Sequence, residues 1–117
     1  MNHGNLEDQL NKSIFELDFL DPYWAVDEMS ENIVISLLNE FKTELSEEHI
    51  LFNQQVELLA RNSSNDEIIL ELEDERVAVV NLTWSSIMES DNFPITRIYK
   101  DKFEFWNREM RQEIRNF

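Results

Sequence analysis

No cysteine occurs in the sequence, which excludes disulfides, thiolate nucleophiles and Cys-ligated metal sites, and fits a reducing compartment. Gly4 is the one glycine. Phosphate loops, dinucleotide fingerprints and nucleophile elbows need several glycines where backbone turns sharply or approaches a ligand, so those enzyme classes are excluded as well. His3 and His49 are the two histidines, too few for a metal site that needs about three or four suitable ligands, and no Ca²⁺ loop pattern is present. No apolar run approaches the ~20 residues of a membrane span. The first thirty residues lack the basic start, apolar stretch and small-residue cleavage site of a secretory signal. A cytoplasmic setting with no membrane association is the expectation.

Cations are scarce too. Twenty-five Asp and Glu stand against ten Lys and Arg in 117 residues, a formal charge of -15. From Met1 to Asp91 the cations are Lys12, Lys42, Arg61 and Arg76; the other six lie between Arg97 and Arg115. Such a surface repels nucleic acid and anionic lipid and attracts basic proteins. The 42% hydrophobic and 11% aromatic content is nonetheless that of a folded chain, and the length suits one domain spanning 1–117, with partial disorder expected over 1–20.

Periodicity organises the rest. Leu6, Leu10 and Ile14 recur at helical spacing. Asp21-Pro22 reads as a helix start. Trp24, Met29, Ile33, Val34, Leu37, Leu38, Phe41 and Leu45 form an apolar stripe, so a long helix is expected from about Pro22 to Leu45, with a reset at Ser30. The period then shortens to two. Residues 56–61, 67–73 and 77–84 read as strands separated by turns at Asn62–Asp66 and Glu73–Glu75, and Thr96–Lys100 reads as a fourth. Val77–Trp84 is apolar on nearly both faces. Asp101 to Glu104 has capping-box spacing. A last helix follows, with Phe103, Trp106, Met110, Ile114 and Phe117 on one stripe and Arg108, Arg111 and Arg115 on another. The expectation is an α+β fold: an antiparallel three- to four-stranded meander with a long N-terminal helix and a C-terminal helix packed on one of its faces.

Two candidate sites follow. Glu67, Ile69, Glu71 and Glu73 share one strand face by alternation. With Asp66, Asp74 and Glu75 they make an acidic patch suited to a basic protein surface. The second candidate is a pocket around His49, Asn81, Thr83 and Trp84, the sole place where an enzyme reading would fit. Solvation explains the acids, and structural hydrogen bonding the polar strand residues, without any ligand. No cofactor and no catalytic residue is implied. The stripe of Arg108, Arg111 and Arg115 is expected to pair with acids of the same fold, beginning with Glu104 at i,i+4 from Arg108.

Three segments carry a likeness. Glu44 to Leu51, then Ala60-Arg61 with Asn65 to Leu72, then Val77 to Trp84 resemble a group of small uncharacterised bacterial proteins. Their pattern reads HPL, ALARR, DDVLFEL and AVVHLTW, with an acid and a proline beyond, supplied here by Glu89 and Pro94. The chain departs from it at Ile50 for Pro, Glu67 for the second Asp and Asn81 for His. In size and acidity these proteins are similar to immunity proteins of bacterial toxin systems. That likeness and the excess acid together lead to the expectation of an inhibitor of a basic toxin domain such as a nuclease, as a monomer or a homodimer. The alternative is a small adaptor subunit that docks or self-associates through its apolar helix faces.

Overall fold

The computed structural model describes residue 12 and residues 17–116. The expected N-terminal helix on Leu6, Leu10 and Ile14 lies outside the described residues, as does most of the stretch expected to be disordered. Leu17 and Phe19, in contrast, are buried against the sheet.

Among the described residues five strands form one antiparallel meander in the order β1-β2-β3-β4-β5: β1 Tyr23–Ala25, β2 Val56–Asn62, β3 Glu67–Leu72, β4 Val77–Asn81 and β5 Ile95–Tyr99. Helix α1 spans Glu31–Glu44. The C-terminal helix consists of α2, Lys102–Phe105, a π-helical turn at Trp106–Met110, and α3, Arg111–Asn116. The fold is α+β as the periodicity indicates, with two corrections to the elements: five strands in place of three or four, and a first helix shorter than expected.

Both corrections have one cause. Residues 23–25 do not start a helix but add an edge strand, Tyr23 opposite Asn62 and Ala25 opposite Ala60. Pro22 ties this strand down through its carbonyl, which accepts the Ser63 N–H and hydroxyl, each at 2.7 Å. The helix begins instead at the reset, where the extended Ser30 accepts the Ile33 N–H on its hydroxyl at 3.3 Å. A Ser cap satisfies one of the donors that a helix start leaves orphaned.

The helices lie on opposite faces of the sheet, not on one. Leu37, Phe41 and Leu45 pack with Leu58, Ile68, Leu70, Ala78 and Val80 on one side. Phe105, Trp106 and Met110 pack with Tyr23, Leu59, Ala60, Ile69, Val77 and Val79 on the other. Strands β3 and β4 are therefore covered on both faces, which is what an apolar run such as Val77–Val80 requires. A bulge in β2 adjusts the pleat. Leu58 pairs with Leu70 but Ala60 with Ile69, so the extra residue, Leu59, points to the same side as Ala60.

The scarcity of glycine leaves a mark on the backbone. Asn53, Glu75, Trp84 and Ser86 take φ of 61°, 71°, 57° and 60°. Left-handed backbone is ordinary for Asn and costly for the other three. Two of these four positions fall in one loop, between β4 and β5.

Candidate functional site

The seven residues of the expected acidic patch do not form one surface. Ile69 is wholly buried under the C-terminal helix and cannot touch a partner. Glu67 shares its side of the sheet and is buried as well; its carboxylate receives Arg97 Nη2 at 2.9 Å. The alternation that places Glu67, Ile69 and Glu71 on one face is correct, but that face is covered by the C-terminal helix. Asp66, exposed, sits at the opposite end of β3 from Glu71 and Glu73, roughly 20 Å away along the strand.

What remains together is the far end of the sheet. Glu71 lies directly opposite Glu57 in the β2–β3 ladder, and Glu73, Asp74 and Glu75 form the adjoining turn. Glu57 was not among the expected residues, because cross-strand register cannot be read before the bulge is known. Like charges placed opposite each other in an antiparallel pair repel. Burial, and after it the charges of Glu57 and Glu75, push the Glu71 carboxyl above its usual range. Asp74 is engaged within the turn: Arg76 Nε donates to it at 2.7 Å and holds its carboxyl below the usual range. Among the described residues, Glu57, Glu71, Glu73 and Glu75 are thus the acids at this end to which no cation is bonded. A groove of about 590 Å³ runs beside them, lined also by Lys42, Gln54, Gln55 and Val56.

The pocket expected around His49 is likewise taken apart. His49 is buried. Its Nδ1 accepts the Leu51 N–H at 3.0 Å, which leaves the hydrogen on Nε2 to donate to the Pro94 carbonyl at 2.9 Å. The imidazole is a pin between the loop after α1 and the start of β5. Asn81 is exposed at the end of β4, between Glu67 and Ile95 in the ladder. Thr83 points its hydroxyl to Glu89 at 2.6 Å. Trp84 lines a cleft shared with Ile35, Ser36, Asn39 and Glu40, not with His49, Asn81 or Thr83.

Two further constellations join residues far apart in the sequence. In the first, Glu44 at the end of α1 is fully buried and accepts the N–H groups of Thr83 and Trp84 at 2.9 Å each, while Glu40, one turn earlier, accepts that of Ser86 at 3.0 Å. Two glutamates four apart on a helix read as a solvated face; nothing local shows that a distant loop drapes over them. Burial, and after it the neighbouring Glu40, push the Glu44 carboxyl up. The hydrogen bond to Glu44 holds Glu40 down. The second is a polar network under the C-terminal helix. Arg97 joins Glu67 and Glu109, and the Tyr99 hydroxyl donates to Glu109 at 3.2 Å. The π-helical turn carries Glu109. It also shifts the register of the helix, so Phe105 is buried while Phe103, on the expected stripe, is exposed. Arg108 does approach Glu104, at 3.8 Å.

Among the described residues no group of three or more His, Cys, Asp or Glu side chains is arranged to hold a metal ion, and no helix is long and apolar enough to cross a membrane. Leu37 and Phe41 of α1, and Trp106 and Met110 of the C-terminal helix, are buried in the two cores, whereas Ile35 and Phe103 of the same helices are exposed. Comparison with protein-family models, with curated proteins and with solved structures finds no match for the chain.

Proposed function

We propose that the chain is an acidic protein-binding module whose partner is a basic protein, and that it works without catalysis. The observation that carries this reading is the opposition of Glu57 and Glu71, flanked by Glu73 and Glu75. A fold selected for stability alone would place a cation or an apolar residue opposite Glu71. Leaving four carboxylates there is consistent with a site completed by Lys or Arg side chains from another molecule. Complementary charge of this kind chiefly speeds association and selects the partner. The concrete form of the proposal is an immunity protein of the bacterial cytoplasm that neutralises a basic toxin domain such as a nuclease. A nuclease carries a positive cleft for its anionic substrate, and an acidic edge can occupy such a cleft.

A lysine-rich peptide is a sufficient first probe. Titrated into isotope-labelled protein at low salt, it is expected to shift the backbone amides of Glu57 and of Glu71 to Glu75 more than those elsewhere. Added salt should weaken the binding steeply. The double reversal Glu71→Lys with Glu73→Lys should abolish that localised response while the fold is retained. Amide shifts spread evenly over all exposed acids would show that the charge is diffuse, and the reading would fail.

A further inference from the structure

The two edges of the sheet are not equally closed. Strand β1 has three residues, follows Pro22, and gives its Tyr23 N–H to the Leu20 carbonyl at 2.9 Å. Short strands and edge prolines keep a sheet from pairing with another chain. Strand β5 has five residues, keeps an unbroken register with β4 from Ile95 to Tyr99, and contains neither bulge nor proline.

The ladder fixes which backbone groups of β5 face outward. Opposed residues of an antiparallel pair alternate between exchanging both N–H···O bonds and exchanging none. The Leu82 N–H bonds the Asp66 carbonyl at 3.0 Å and the Leu72 N–H bonds the Arg76 carbonyl at 2.8 Å, so the even-numbered residues of β3 and β4 bond each other. The odd-numbered Val77, Val79 and Asn81 therefore bond Tyr99, Arg97 and Ile95. Thr96 and Ile98 turn their N–H and C=O groups away from the sheet, where these groups have no partner among the described residues. The opening is closed at both ends. Pro94 has no N–H, and its carbonyl accepts His49 Nε2 at 2.9 Å and the Thr96 hydroxyl at 3.0 Å. The Lys100 N–H is taken by Glu104 at 2.9 Å.

We propose that β5 pairs antiparallel with β5 of a second copy of the chain, about a two-fold axis at Arg97. In that register Thr96 of each copy exchanges both bonds with Ile98 of the other, and Ile95, 45% exposed, meets Tyr99. An aliphatic β-branched residue opposite an aromatic one is a favourable cross-strand pair. Neighbouring registers fail. An axis at Thr96 sets Ile98 against Pro94, which has no N–H to give, and an axis at Ile98 sets Thr96 against Lys100, whose N–H is engaged. An edge that satisfies itself in a single register fits an isologous contact. Charge agrees. From Ile95 onward six Lys and Arg stand against Asp101, Glu104, Glu109 and Glu113, so this edge belongs to the part of the chain without an acidic excess. The two Arg97 side chains that meet at the axis are each neutralised by Glu67 and Glu109. The β3 strands of the two copies lie on the order of 24 Å apart, five inter-strand spacings, well beyond the Debye length of about 8 Å at physiological salt. Glu57, Glu71, Glu73 and Glu75 of both copies stay clear of the join.

So short a ladder makes a weak dimer, and concentration is the variable that reveals it. Sedimentation over a roughly hundredfold concentration range should show the mass rising toward that of two chains. Hydrogen exchange should show the Thr96 and Ile98 amides gaining protection with concentration, while the Arg97 amide, already bonded to β4, is protected throughout. Ile98→Pro removes an outward N–H and breaks no bond to β4, a place where an edge strand tolerates proline. With folding verified by circular dichroism, it should weaken the dimer at least about tenfold, as each copy loses a ladder bond at both ends of the pairing. Ile95→Lys, at an exposed side chain, is the second variant and should also weaken it, by placing a charge against Tyr99. A mass that stays that of one chain at every concentration overturns the proposal. So does a dimer that both variants leave intact with Thr96 and Ile98 unprotected, which would join through another surface. If the lysine-rich peptide protects Thr96 and Ile98 at a concentration where the protein is monomeric, the edge takes a foreign strand and the second copy is refuted as its occupant. The response of Glu57 and of Glu71 to Glu75 to that peptide decides the basic-partner reading separately.

Discussion

Glu44 accepts two backbone N–H groups from a loop thirty-nine residues away in sequence and has no exposed surface. A buried carboxylate facing another carboxyl favours its protonated form, and burial is the larger of the two causes. Glu40 moves the other way, held in its charged form by its bond to Glu44. The pH consequences have opposite signs. A folded-state pKa raised above the unfolded value means that the native protein binds the proton more tightly. Glu44 therefore contributes stability that is full below the unfolded carboxylate range and is lost as pH rises through its own raised pKa. The contribution of Glu40 is present above that range and is lost as pH falls through its lowered pKa. Between the two pKa values the pair holds one proton, and the latch over Thr83 to Ser86 is tightest. The substitution Glu44→Gln keeps a neutral side chain of the same length at every pH. Urea denaturation between about pH 5 and about pH 8 should show wild type losing stability toward the alkaline side more steeply than the variant. Parallel profiles would mean that the Glu44 proton plays no part in holding the loop.

Among the elements, the C-terminal helix depends most on a single side chain. Arg97 of β5 bonds Glu109 from the helix and Glu67 from β3, and both carboxylates are nearly shielded from water. Removing Arg97 leaves two buried anions with no counter-charge between sheet and helix. Breaking such a pair from one side is far more destabilising than the pair's own net worth. Arg97→Ala is expected to cost about 3 kcal/mol, read as a lower urea midpoint at unchanged m-value. A loss indistinguishable from that of an exposed arginine such as Arg108 would refute the role. This network also shows why only part of the architecture was legible in sequence. Strands β2 to β5 and the core of α1 announce themselves through periods of two and of 3.6, as does the alternation that sets Glu67 beside Ile69 and Glu71. Which layer covers a face is decided by non-local packing, so an acidic row that reads as solvent-facing is partly a buried network. The β2 bulge and the π-helical turn each add one residue to a repeat. They hid the Glu57–Glu71 pairing and the burial of Phe105. Tyr23 to Ala25 is too short to show a period at all, and the helical stripe that follows absorbed it.

At the scale of the whole molecule, a formal charge of -15 sets a conflict between holding the fold together and attracting a partner. Self-repulsion destabilises the compact state and is screened by salt. The conflict is sharpest where β2 and β3 oppose Glu57 and Glu71. Burial first, then the charges of Glu57 and Glu75, raise the Glu71 pKa, so Glu71 contributes stability at low pH that is lost as pH rises through its folded value. Toward neutral pH the fold is therefore working against this carboxylate. Glu71→Gln should stabilise the protein at neutral pH and low salt by about 0.5 kcal/mol, the scale of one cross-strand charge pair. That gain should shrink as salt is added and vanish in acid, where wild-type Glu71 is protonated. The same substitution should weaken the lysine-rich peptide, and acidification should weaken it for wild type in parallel, because binding a cation requires the charged form. A residue whose replacement improves the fold while impairing an interaction is maintained for the interaction. If Glu71→Gln gains stability with no loss of peptide binding, the acids at this end of the sheet serve hydration alone.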